Sequence, residues 1–139
     1  MPINVSIVED QDETREHLTL LVNGAPGFSC VSSHGSAEEA IKDLPAHEPD
    51  VVLMDIRMPE MDGVEATRRI CASFSGARVI ILTTFDDDTY VYEGIRAGAA
   101  GYLLKAIKGA ELAAAIRTVV AGGSFMEPSV AQKLMTEFA

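Results

Sequence analysis

Five polar side chains stand where apolar runs end, which is where this chain could do chemistry. Glu9 and Asp10 follow Ile3 to Val8, and Asp55 follows Val51-Val52-Leu53-Met54. Thr83 follows Val79-Ile80-Ile81-Leu82, and Lys105 follows Ala100 to Leu104. If the fold gathers them, three carboxylates, a hydroxyl and an ammonium share one place. Crowded carboxylates repel, and a divalent cation resolves the repulsion. Magnesium takes oxygen ligands in octahedral geometry and keeps several waters beside one or two carboxylates. Lysine offers a compact positive charge to a phosphoryl oxygen, and a hydroxyl can donate to another. A carboxylate in that setting can attack an activated phosphoryl donor and form an acyl phosphate. The cation and the lysine would stabilise charge on the transferring group. Taken singly, each residue has a plainer reading: an acid at a strand end caps a helix, a lysine is solvated, a threonine is a polar strand end. The joint placement carries the argument.

The elements that must position these residues are legible as alternation. Apolar runs of strand length alternate with segments of helical period along the 139 residues. Val51–Met54 and Val79–Leu82 are continuous apolar runs, as strands buried on both faces of a parallel sheet are. The other strands are expected at Ile3–Val8, Phe28–Ser33 and Ala100–Leu104. Leu18, Leu21 and Val22 mark a first helix that stops at Gly24. Ser36-Ala37-Glu38-Glu39 reads as a capping box opening a second, with Ala37, Ala40, Ile41 and Leu44 on its apolar face and Pro45 ending it. Val64, Thr67, Ile70 and Phe74 mark a third, and Asp87 to Arg96 a fourth, closed by Gly98. Leu112, Ile116, Val119 and Val120 mark a fifth, stopped by Gly122-Gly123. Five such alternations predict an α/β fold with right-handed crossovers. In such sheets ligands bind beyond the carboxyl ends of the strands, where the five polar residues fall. Pro128 can open one further helix, with Val130, Leu134 and Phe138 along it, beginning to leave the domain.

Composition narrows the partners. The formal charge is −10, which opposes direct contact with a phosphate backbone. Apolar residues make up 47%, as in a globular domain. No apolar run approaches the roughly 20 residues of a membrane helix, and no basic-then-apolar leader is visible. A cytoplasmic protein with no membrane contact is expected. Cys30 and Cys71 are expected as reduced, buried small hydrophobes. Without a CxxC or Cys/His cluster, a zinc site is not expected.

The chain resembles response-regulator receiver domains over essentially its whole length. The residues that carry the likeness are Met54-Asp55-Ile56-Arg57-Met58-Pro59-Glu60-Met61-Asp62-Gly63, together with Val8-Glu9-Asp10, Leu82-Thr83-Thr84-Phe85-Asp86 and Gly101-Tyr102-Leu103-Leu104-Lys105. The resemblance implies a flavodoxin-like (βα)5 fold, a five-stranded parallel sheet of order 2-1-3-4-5, with a short extra C-terminal helix. It implies phosphorylation of Asp55 by a sensor histidine kinase with Mg2+. Asp10, Asp55 and the backbone carbonyl of Arg57 would hold the metal, and Glu9 would act through water. Thr83 and Lys105 would meet the phosphoryl group, and Tyr102 would report activation through its rotamer. Arg57 and Phe85 flank the site. Ala106 follows the lysine where relatives often carry Asp or Pro, which leaves the aim of Lys105 open.

Leu82-Thr83-Thr84-Phe85-Asp86, Arg96-Ala97-Gly98-Ala99 and Gly122-Gly123 before a Pro-led helix are similar to the NarL/FixJ type. That likeness implies a helix-turn-helix output domain that would contact DNA, with homodimerisation left open. The receiver would then cover residues 1–123, and residues 124–139 would form a helix leading into a linker to an output domain absent from the chain. A stand-alone receiver acting by protein contacts is the alternative. A receiver that never takes phosphate is another, opposed by the complete set of site residues. A third comes from Asp10-Gln11-Asp12-Glu13-Thr14, which fits the DxDxT pattern of haloacid dehalogenase-like phosphohydrolases. Against it, Arg15 stands where an apolar residue is expected, and no acidic pair follows Lys105. A receiver would not be an enzyme beyond Mg-dependent self-phosphorylation and slow loss of the phosphoryl group.

Overall fold

The structure, a computed structural model, describes residues 2–74, 76–84 and 88–137. Phe85, Asp86, Asp87 and Phe138, named above, lie outside them. The elements alternate as β1 (Ile3–Val8), α1 (Asp12–Gly24), β2 (Phe28–His34), α2 (Ala37–His47), β3 (Val51–Asp55) and α3 (Gly63–Ser73). They continue as β4 (Arg78–Thr83), α4 (Asp88–Ala97), β5 (Gly101–Leu104), α5 (Gly109–Val120), β6 (Phe125–Met126) and α6 (Pro128–Glu137). The strands form one parallel sheet of order β2-β1-β3-β4-β5-β6.

The period of two along each strand sends alternate side chains to opposite faces. Val51 and Leu53 of β3, Ile80 and Leu82 of β4 and Leu103 of β5 pack under α1 and α5 with Leu18, Val22, Leu112 and Ile116. Val52, Met54, Ile81 and Tyr102 face the other way, against Ala40, Leu44, Ala66, Ile70 and Val91 of α2, α3 and α4. Both faces of the central strands are therefore dry, which is why β3 and β4 read as unbroken apolar runs.

Several expectations need correction. The sheet has six strands, not five. β6 lies parallel to β5, with Gly101 opposite Phe125 and Tyr102 opposite Met126. Phe125 N–H donates to Ala100 O at 3.1 Å and Glu127 N–H to Tyr102 O at 2.9 Å. A two-residue strand shows no periodicity to detect. The last helix does not leave the domain: Val130 is buried and Leu134 packs beside it on the α2–α4 face. Pro45 does not end α2, which runs to His47. Proline removes one helical donor, but buried Leu44 holds the turn. The chain then exits at Glu48 with φ 46°, its N–H bonded to Leu44 O. Val120 also falls outside the buried stripe of α5, at 37% exposure.

The Ser36 half of the expected capping box is present, with Ser36 Oγ accepting from Glu39 N–H, while the Glu39 carboxylate turns toward His34. Asp62 caps α3 in the same way, accepting from Glu65 N–H. Cys30 and Cys71 are free thiols, half-buried rather than buried, and burial raises the pKa of each. No helix among the described residues is long and apolar enough to cross a membrane.

Candidate functional site

Asp55 closes β3 and is 2% exposed. Its neighbours arrive from the ends of β1 and β5. Lys105 Nζ stands 2.8 Å from Asp55 Oδ1 and 3.2 Å from Glu9 Oε1. Backbone pairing sets the reach of that lysine, because Lys105 N–H donates to Thr83 O at 2.9 Å and carries the β4–β5 ladder one residue further. The described residues contain no cis peptide, the bond to Ala106 included. Lys105 therefore reaches Asp55 with alanine after it.

Glu9 is fully buried and is held by its backbone. Its N–H donates to His34 O at 3.0 Å, and its carbonyl accepts from Arg15 Nη1 at 2.8 Å. Gln11 N–H donates to Glu9 Oε2 at 3.1 Å. Arg15 thus positions the acidic pocket, a role its place in the sequence did not reveal. Glu9, Asp10 and Asp55 each bring one carboxylate oxygen to a common point, all within 4.8 Å of one another. Asp12 faces Arg15 instead, and Thr14 Oγ1 donates to Gln11 Oε1. The second acid and the threonine of the DxDxT pattern therefore belong to the first turn of α1.

Among the described residues, one ammonium contacts two carboxylates with a third beside them, and the electrostatics reflect it. Burial pushes the Asp55 carboxyl up from 3.8 to about 7; Lys105 opposes the shift and the Glu9 charge adds to it. Lys105 is pulled down by burial, but the carboxylates of Asp55 and Glu9 overcome this and leave its pKa raised. Among the described residues, Asp55 Oδ2 is buried without a hydrogen-bond partner, and Glu9 Oε1 has only its ion pair with Lys105. Buried polar atoms are normally paired. An unpaired carboxylate oxygen of Asp55 beside the carboxylates of Glu9 and Asp10 is the donor set a hard divalent cation takes.

Thr83, 1% exposed, ends β4 one residue past the Asp55–Leu82 pair, and its hydroxyl donates to Thr84 O at 3.1 Å. Tyr102 points inward, 1% exposed. Burial drives its phenol pKa far upward, and a hydrogen bond with the Gly94 backbone only partly offsets this. Arg57 lies exposed in the β3–α3 loop, two residues past Asp55. That loop folds back tightly: Gly63 N–H donates to Ile56 O at 2.8 Å. A Cβ on Gly63 would stand 2.0 Å from Asp55 O and 2.8 Å from Ile56 Cα. The glycine eight residues after Asp55 is there so that α3 can start against the backbone of the acidic residue itself.

A family model described as the response regulator receiver domain matches residues 5–117. The chain belongs to the response regulator receiver family. This receiver is 35% identical to the transcriptional regulatory protein DegU of Brevibacillus brevis, over 98% of this chain and 58% of that protein. It is 38% identical to the transcriptional regulatory protein LiaR of Bacillus subtilis, over 96% of this chain and 64% of the relative. It thus spans less than two thirds of either. Among solved structures, a two-component response regulator of the LuxR family from Aurantimonas superposes with a TM-score of 0.90 at 33% identity, over 99% of this chain and 98% of that one. The signal receiver domain of the putative response regulator NarL from Mycobacterium tuberculosis superposes with 0.81 at 28% identity, over 87% of this chain and 98% of that one. The receiver is of the LuxR/NarL type and carries the flavodoxin-like fold, with β6 added at its edge.

Proposed function

We propose that this receiver accepts a phosphoryl group on Asp55 from a sensor histidine kinase. The observation that carries the reading is the contact between Lys105 Nζ and Asp55 Oδ1, beside Glu9 and Asp10 at the same strand-end rim. A carboxylate oxygen of Asp55 attacks the phosphorus of a phosphoimidazole. The P–N bond breaks, the imidazole leaves and takes up a proton, and an aspartyl phosphate remains. Lys105, already against the carboxylate, shifts to a phosphoryl oxygen. Thr83 exchanges the Thr84 carbonyl for another.

Asp10 and Asp55 would hold Mg2+ with the backbone carbonyl of Arg57, and Glu9 would act through water. The cation supplies charge neutralisation as the phosphoryl group arrives. Drawing Thr83 inward biases a two-state equilibrium of α4 and β5, which Tyr102 reads through its rotamer. Chemistry beyond this is limited to self-phosphorylation from small donors and slow hydrolysis of the acyl phosphate. β6 and α6 pack on the receiver, and an output domain follows them in the whole protein. The whole protein is a cytoplasmic transcription regulator that contacts DNA through that domain and can pair as a homodimer. The relatives named as transcriptional regulatory proteins support this.

Intact-protein mass spectrometry tests the reading. Acetyl phosphate with Mg2+ adds one phosphoryl group, chelation prevents it, and Asp55→Asn abolishes it. A label that persists in Asp55→Asn, or maps to Asp10, overturns the assignment.

A further inference from the structure

A second group of ligand-type side chains lies one strand away from the acidic pocket. His34 ends β2, and its side chain is 3% exposed. Its Nε2 lies 2.9 Å from Ser32 Oγ, which lies 2.6 Å from Ser6 Oγ. Its other nitrogen, Nδ1, is buried and has no hydrogen-bond partner among the described residues. Nδ1 is aimed at two carboxylates of α2, Glu39 Oε1 at 3.4 Å and Asp43 Oδ2 at 4.0 Å. In the tautomer that donates from Nε2 to Ser32, the Nδ1 lone pair faces two negative groups. That arrangement is repulsive unless a cation stands between them.

We propose that His34, Glu39 and Asp43 form a binding site for a divalent transition cation of the zinc type. The three donor atoms lie within 4.8 Å of one another. Tetrahedral bonds of about 2.0–2.2 Å place neighbouring donors about 3.4 Å apart; Nδ1 and Glu39 Oε1 stand at 3.4 Å, and the exposed Asp43 carboxylate, at 4.0 Å, would close in on the ion. The contact of Glu39 with Nδ1 fails as a hydrogen bond, which requires the proton near the line between the atoms. A metal sits off that line, so the same geometry suits it. The Ser32–Ser6 pair holds the ring at Nε2, as outer partners do for histidine ligands. Glu39 and Asp43 stand four apart on α2, whose start is pinned by the Ser36 cap. Their side chains are 54% and 46% exposed, which gives an entry path and room for water to complete the coordination. Imidazole favours zinc-like cations over magnesium and calcium. The sequence offered no Cys/His spacing for such a site, because its ligands come from a strand end and the following helix. The group is tied to the phosphoacceptor pocket by the Glu9 N–H bond to His34 O.

The test is a Zn2+ titration of the full chain against a chromophoric chelator, with saturating Mg2+ present. One equivalent should bind, and binding should persist in Asp55→Asn and in Asp10→Asn. Glu39→Gln and Asp43→Asn should each weaken it by about tenfold or more. Both lie on the solvent side of α2, and circular dichroism verifies that they fold. In the parent chain, nitrogen NMR should show the His34 Nδ1 resonance, and not Nε2, shifting on Zn2+ addition. Absence of stoichiometric binding overturns the proposal. So does unchanged affinity in the Glu39 and Asp43 variants, or loss of binding in Asp55→Asn. A His34 ring that carries protons on both nitrogens and ignores Zn2+ overturns it too.

Discussion

The phenol oxygen of Tyr102 lies 1.7 Å from the point where a Cβ on Gly94 would stand. β5 and α4 are thereby matched: the helix lacks a side chain where the tyrosine hydroxyl arrives, and the ring is buried as a result. Gly94→Ala should expel the ring from between them and cost about 1–3 kcal/mol, as overpacking does. Nitration mapped by mass spectrometry reads this directly. Tyr102 should be protected in the parent chain and modified in the variant. Equal protection in both would mean that Gly94 does not hold the rotamer.

Gly63 meets backbone rather than a movable side chain. A methyl group there collides with Asp55 O and Ile56 Cα, so the β3–α3 loop must open. Gly63→Ala should lose about 2–4 kcal/mol in urea denaturation and also weaken Mg2+ binding, because Asp55 moves with its backbone. A loss under about 1 kcal/mol would show that the loop yields easily.

Among the described residues, Lys105 is the one ammonium against Asp55 and Glu9. Lys105→Met leaves two buried carboxylates without their counter-charge. Breaking a fully buried pair costs about 3–5 kcal/mol; with the lysine 24% exposed, about 1–3 kcal/mol is expected after allowing for solvent screening. Magnesium should bind several-fold more tightly to this variant and restore its stability. Metal affinity that falls instead would assign Lys105 a part in holding the metal.

Stability of the metal-free protein should depend on pH through Asp55. Its carboxyl is raised from 3.8 to about 7 by burial, with Glu9 adding and Lys105 opposing. Between those values the folded protein keeps a proton that the unfolded chain has released. Unfolding then releases it, so stability falls as pH rises through that window. Urea titrations with a chelator at about pH 5 and pH 8 should differ by about 1–3 kcal/mol from this group. Asp55→Asn should remove that part of the slope and be the more stable protein at the higher pH. Parallel slopes in the two proteins would remove Asp55 as the cause.

β6 and α6 cover the edge of β5 and bury Val130. A chain ended at Gly123 should melt several degrees lower than the 139-residue protein, since about 1 kcal/mol shifts a domain of this size by a few degrees. Val130→Ala alone should reproduce part of the loss. An unchanged melting temperature on truncation would show that the segment only rests on the surface.

The order of elements, the parallel sheet and the rim that carries Glu9, Asp10, Asp55, Thr83 and Lys105 were all legible in the residues. Each rests on local pattern, namely continuous apolar runs, helical period and polar residues at strand ends. Such patterns survive in one dimension because burial on both faces of a strand demands them. Ser36 was likewise readable as a cap, because its partner Glu39 is three residues away.

What depends on distant partners was decided by the tertiary structure alone. β6 forms because β5 offers an open edge, and two residues carry no pattern of their own. α2 continues through Pro45 because Leu44 is buried beneath it. Gly63 and Gly94 are required by atoms of Asp55, Ile56 and Tyr102 that no spacing rule connects to them. Arg15 holds the Glu9 carbonyl, and His34 faces Glu39 and Asp43, only once β1, β2 and α2 lie side by side. Charge and close approach act across space, so the chain sequence states the residues but not which of them will meet.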